Sequence, residues 1–96
     1  MAYFVYMLVS RSGNALYVGA TNDLHRRLEQ HRARIAGAHT ARYRIDRLVW
    51  FEVHERIDEA RERERRLKRW HRAWKDALVA ESNPTWRDLS HDIPYV

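Results

Sequence analysis

The sequence has no cysteine, and its 96 residues include only three glycines and two prolines. Without cysteine there is no disulfide framework, no thiolate zinc site and no cysteine nucleophile. That absence fits a reducing compartment. No stretch approaches the roughly 20 apolar residues of a membrane span. The N-terminus lacks the basic region and long apolar run of a signal peptide. The expectation is a cytoplasmic protein with no membrane partner. No pair of histidines stands at a zinc-like spacing on one helix with an acid between them, which argues against a zinc hydrolase. Internal repeats, low-complexity tracts and linkers are also missing.

Charge is abundant. Lys and Arg number 18 against 13 Asp and Glu, for a formal net charge of +5 and a pI of about 10.1. A small basic domain invites a polyanion, with nucleic acid the favoured partner and plain solubility the dull alternative. Apolar residues make up 45%, an ordinary globular share. The length suits a single domain, residues 1–96, with one modest core.

Tyr3 to Ser10 is a continuous apolar and aromatic run, read as a buried strand. Arg11-Ser12-Gly13-Asn14 is a polar turn, and Ala15 to Ala20 is the returning strand of a hairpin. Strand alternation sends Phe4, Tyr6 and Leu8 to one face and Val5, Met7 and Val9 to the other. Tyr17 faces away from Leu16 and Val18, so a suitable register would set Tyr6 beside Tyr17. A helix follows from Asn22 to Ile35, with Thr21 or Asn22 as cap, Asp23 in its first turn and Gly37 as a left-handed stop. The loop with His39, Arg42 and Tyr43 mixes cations with an aromatic, which suits phosphate contact and base stacking. Leu48 to Val53 is a third strand. A charged helix from Ile57 to about Trp70 breaks near His71 and resumes to about Ala80. Asn83-Pro84 ends helical structure, and Trp86, Leu89 and Ile93 pack back as a lid. The four tryptophans read as core or lid. The fold class is therefore α+β, a three-stranded mainly antiparallel sheet, hairpin plus third strand, flanked by helices.

Two helical positions stand out, although His31 could be a satisfied core histidine, as Tyr6 and Tyr17 could be half-buried strand aromatics. His31 projects into the Leu24–Leu28–Ile35 stripe, with Arg27 one turn earlier on its edge. Glu64 falls on the stripe of Ile57, Ala60, Leu67 and His71, whereas Glu62 points the opposite way. An inward carboxylate needs a cation, a metal or several donors. Arg27 and a divalent ion are the candidates, and a structural Arg–Glu pair is the bland alternative.

Four blocks of the sequence resemble the GIY-YIG nuclease superfamily, in order and over nearly the whole chain. They are Phe4-Val5-Tyr6, with Phe4 where the family glycine stands; Tyr17-Val18-Gly19 followed by Arg27 and His31; Glu59 to Lys68; and Asn83 to Leu89. The match is to the small stand-alone, single-domain members. The resemblance implies a metal-dependent phosphodiesterase site on a three-stranded sheet. Glu64 would ligate one Mg²⁺ or Mn²⁺, and Arg27 would bind the phosphate. Tyr17 would activate or orient the water, Tyr6 would hydrogen-bond within the site, and His31 would assist proton transfer or hold the phosphate. Arg26 and Lys68 join the loop residues as DNA contacts. The expected activity is a DNA endonuclease of low intrinsic sequence specificity, acting on single-stranded, duplex or branched DNA in repair or processing, as a monomer or weak dimer. The competing readings are an inactive nucleic-acid-binding module and a small adaptor whose basic face is incidental.

Overall fold

A strand whose residues are apolar on both sides has to be covered on both faces, and that requirement sets the architecture. β1 (Tyr3–Ser10) is buried at every position from Phe4 to Ser10. It is the middle strand of a three-stranded sheet, between β2 (Leu16–Thr21) and β3 (Ile45–His54), and both pairings are antiparallel. This is a computed structural model that describes residues 2–33 and 44–95.

Each face of β1 has its own cluster. Phe4, Tyr6 and Leu8 pack with Leu24 and Leu28 of α1 (Leu24–Arg32), Leu48 of β3, and Ile93 of the tail. Val5, Met7 and Val9 pack with Ala60 and Leu67 of α2 (Ile57–Arg69) and Val79 of α3 (Arg72–Ser82). The first and second helices therefore cover opposite faces of the sheet. The anticipated alternation along β1 is observed, and the three predicted strands are present. β3 begins three residues earlier than the apolar run suggested, because Ile45 is buried and pairs with Ser10. Register shifts between Met7 and Leu8, and between Val9 and Ser10, leave Val49 and Asp46 of β3 as bulged residues near the start of that strand.

The cap of α1 differs from expectation. Asp23 is the N-cap, its carboxylate accepting from the Arg26 amide at 3.1 Å, while Thr21 Oγ1 accepts from the Asp23 amide at 3.1 Å. Asp23 is thus not a first-turn residue interacting only with the helix dipole. Ile35, Gly37 and the expected helix stop lie outside the described residues. The break between α2 and α3 falls where anticipated. It needs neither Gly nor Pro, because Trp70 and His71 are both extended, with ψ of 148° and 151°. Arg72 then donates to the Asn14 and Gly13 carbonyls at 2.9 and 2.7 Å, tying α3 to the hairpin turn.

The tail does pack back, but on both faces. Ile93 and Leu89 join the α1 side, whereas Trp86 joins the α2–α3 side. Asn83 holds the turn between them: its buried amide donates to the Val49 and Arg87 carbonyls at 3.0 and 2.9 Å. Two apolar assignments need correction. Ile57 is exposed because it opens its helix at the sheet margin, and Trp74 is 58% exposed, so it is neither core nor lid. His71 lies off the α2 stripe, since the chain is already extended there.

Candidate active site

Register brings the aromatics together. Tyr6 pairs with Gly19 and Leu8 with Tyr17, so the two tyrosines are diagonal neighbours on one face. Their ring centroids are 6.1 Å apart. Gly19 makes the approach possible. A Cβ there would stand 2.6 Å from Tyr6 Cζ and Oη and 2.9 Å from Tyr17 Cε1. Its φ is not positive, so the position demands glycine for space and not for a turn.

Leu24 and Leu28 seat α1 on this face, and His31 follows one turn below Arg27. The imidazole is 2% exposed. Its ring lies 6.0 Å from that of Tyr6 and 5.2 Å from that of Tyr17. Tyr6 Oη and His31 Nε2 are 3.1 Å apart. Burial raises the Tyr6 pKa above that of a free phenol, and a hydrogen bond from Arg27 only partly offsets this. Burial, then the nearby Arg27 charge, lowers His31 to about 4. Both groups are therefore neutral near pH 7, and the hydrogen bond between them joins two uncharged partners.

Arg27 is half-buried at the margin of this group. Hydrogen bonding to Tyr6 is the chief reason its pKa is raised, and Tyr17 adds to it. Nη1 also donates to Gln30 Oε1 at 3.1 Å. Gln30 was not anticipated, although it lies three residues from Arg27 on the same helix face. Arg27 and Gln30 line an open cleft of about 930 Å³, along with Arg26, Thr21, Asp23 and Tyr95.

The structure thus brings Tyr6, Tyr17, Arg27 and His31 into one group, with Arg26 exposed on the adjoining cleft. His39, Arg42 and Tyr43 lie outside the described residues. Glu64 stands apart from this group in its contacts. It sits on α2, between the buried Ala60 and Leu67, with its side chain 24% exposed and paired with Lys68 Nζ at 3.1 Å. Among the described residues no ion pair joins Glu64 to Arg27. Lys68 is thereby engaged by a carboxylate. The two sides of the sheet approach each other at the β2 edge. There Ala20, Thr21 and Asn22 line both the main cleft and a smaller cavity, of about 270 Å³, bounded by Ala60 and Arg61.

The chemistry a largely hydrated divalent ion needs is met here by one carboxylate, Glu64. Among the described residues no three of His, Cys, Asp and Glu cluster into a protein cage. Mg²⁺ does not require one, since it commonly keeps several waters and takes one or two carboxylates. Glu64 offers a part-exposed carboxylate. Its Lys68 partner is itself 53% exposed, a pairing worth no more than about 1 kcal/mol and readily exchanged for an ion.

The family model for the GIY-YIG catalytic domain matches residues 2–77. The chain belongs to the GIY-YIG family. Among similar proteins is the UPF0213 protein of Bacillus pumilus (strain SAFR-032). It is 34% identical over 79 residues, spanning 82% of this chain and 80% of that one. The solution NMR structure of the UPF0213 protein from Bacillus halodurans is similar in fold, with a TM-score of 0.59 and 27% identity. The match covers 92% of this chain and 93% of that one. Among the described residues, no helix is long and apolar enough to cross a membrane.

Proposed function

We propose that this GIY-YIG protein is a metal-dependent DNA endonuclease of low intrinsic sequence specificity, acting on single-stranded or branched DNA during repair or processing. The observation that carries the reading is the Tyr6–Tyr17–Arg27–His31 group, buried at one end and open at the other onto a basic cleft.

Phosphodiester hydrolysis needs an oriented water, charge neutralisation at the phosphoryl oxygens and help for the leaving oxygen. Arg27 supplies the second. Its planar fork is part-exposed to the cleft, and its other side is oriented by the tyrosines and Gln30. Tyr17 orients the water through its hydroxyl, beside the Arg27 guanidinium. Tyr6 stays neutral and positions His31 and Arg27 by hydrogen bonding. Because His31 is neutral at pH 7 and its Nε2 is engaged by Tyr6, it holds the phenol in place and is not a phosphate-binding cation. Glu64 would hold one Mg²⁺ or Mn²⁺, which when bound supplies Lewis-acid polarisation of the phosphate.

The test is nicking of labelled single-stranded, duplex and branched DNA with Mg²⁺ or Mn²⁺. Glu64→Ala and Arg27→Ala should each abolish cleavage with an unchanged circular dichroism spectrum. Cleavage that persists in Glu64→Ala, or in excess chelator, overturns the assignment.

A further inference from the structure

The main cleft ends at an aromatic that nothing in the proposed chemistry uses. Tyr95 is 91% exposed, the most exposed large apolar side chain among the described residues. Leaving an aromatic face in water forgoes burial energy. Yet the ring is not left to rotate freely. It lies parallel to the His25 imidazole, with centroids 4.2 Å apart and planes 13° from each other.

The backbone beneath it is anchored. Ile93, two residues before, is buried in the α1-side core. The Leu89 amide donates to the Leu48 carbonyl at 2.8 Å, and Arg87 pairs with Asp92 at 2.7 Å. Pro94 stands between Ile93 and Tyr95 and restricts the backbone there. His25 serves as a face rather than through its edge. Its Nε2 is buried and has no hydrogen-bond partner among the described residues, so ring packing holds the pair. His25 and Tyr95 line the same cleft as Arg26 and Arg27.

We propose that the outer face of Tyr95, backed by His25, is a stacking platform for one unpaired nucleobase of a single-stranded segment whose backbone runs past Arg26 and Arg27. The proposal rests on the nuclease reading of the cleft and adds a base-binding subsite to it. The chemistry supports this occupant. A cation-lined groove beside an exposed, oriented aromatic is the pairing that single-stranded nucleic acid takes, because each base offers a π-face whatever its identity. A base within a duplex already has both faces stacked and cannot use the platform without leaving its helix. The subsite therefore favours unpaired substrates without imposing sequence preference.

The test measures fluorescence anisotropy of a labelled oligothymidylate and of a blunt duplex, in chelator so that nothing is cut. Tyr95→Ala should weaken single-strand binding about tenfold, the usual order for losing one base–aromatic stack, and leave duplex binding within about twofold. Tyr95→Trp should restore it. An oligonucleotide with abasic sites should bind wild type about as weakly as the intact strand binds Tyr95→Ala, which needs no variant to fold. Unchanged binding by Tyr95→Ala, an equal loss on the duplex, or full affinity for the abasic strand overturns the platform. If wild type cleaves DNA while Tyr95→Ala binds normally, the platform fails and the nuclease reading stands. If wild type binds DNA with the predicted Tyr95 dependence but never cleaves, the nuclease reading fails and the platform stands.

Discussion

Replacing Gly19 with alanine adds one methyl group and tests how tightly the two tyrosines are held. That methyl carbon would lie 2.6 Å from Tyr6 Cζ and Oη and 2.9 Å from Tyr17 Cε1, closer than carbon atoms tolerate. Backbone conformation is not at issue, since φ at this position is not in the left-handed region. Something has to move, and Tyr6 is poorly placed to do so. Its ring is 1% exposed, packed in the α1-side core and bonded to His31. Inserting volume into such a site costs about 1–3 kcal/mol. For a domain of this size that lowers Tm by about 4–24 °C. Thermal unfolding followed by circular dichroism measures it. The cost should shrink in a Tyr6→Leu background, where the clashing ring atoms are gone, giving a clear coupling in the double-mutant cycle. An unchanged Tm in Gly19→Ala, or the same penalty in both backgrounds, would refute the steric argument. Gly13 offers a contrast. A Cβ there meets nothing within 4 Å, but φ is +80°, so any penalty of Gly13→Ala is backbone strain.

Two further predictions concern charge at the same site. His31 is held at about 4, below its unfolded value near 6.5, so the unfolded state takes up its proton first as pH falls. Its contribution is complete above about pH 6.5 and is lost towards pH 4, amounting to roughly 3 kcal/mol. Urea unfolding across that range should show a shallower pH dependence in His31→Gln than in wild type, and equal slopes would remove His31 as the cause. Since the Arg27 charge is the second reason for the depression, Arg27→Ala should raise the His31 pKa measured by NMR titration. An unmoved titration would show that burial alone sets it.

How much of this was legible in the sequence differs between elements. β1 and the alternation of its faces follow from local pattern. A run from Tyr3 to Ser10 with no polar face has to be central, and a residue's side of a strand depends only on parity. The inward placement of His31 was readable in the same way, from helical spacing against Leu24 and Leu28. The N-cap was not, because Thr21, Asn22 and Asp23 are all good caps and the choice depends on how the chain leaves β2. Exposure of Ile57 and Trp74 was likewise not local, since helical spacing does not say where the sheet ends.

The residue types and their spacing determined, without tertiary information, that two tyrosines, an arginine and a histidine of this basic domain share one hairpin and the helix after it. Only the folded chain decided that register makes the tyrosines diagonal neighbours across Gly19, and that the core leaves Tyr6 and His31 uncharged. It also decided that Glu64 rides on a helix covering the opposite sheet face and is paired with Lys68, and that Tyr95 returns to stack on His25. Helix and strand periodicity act over a few residues. Register, desolvation and the docking of distant segments depend on contacts that no local pattern encodes.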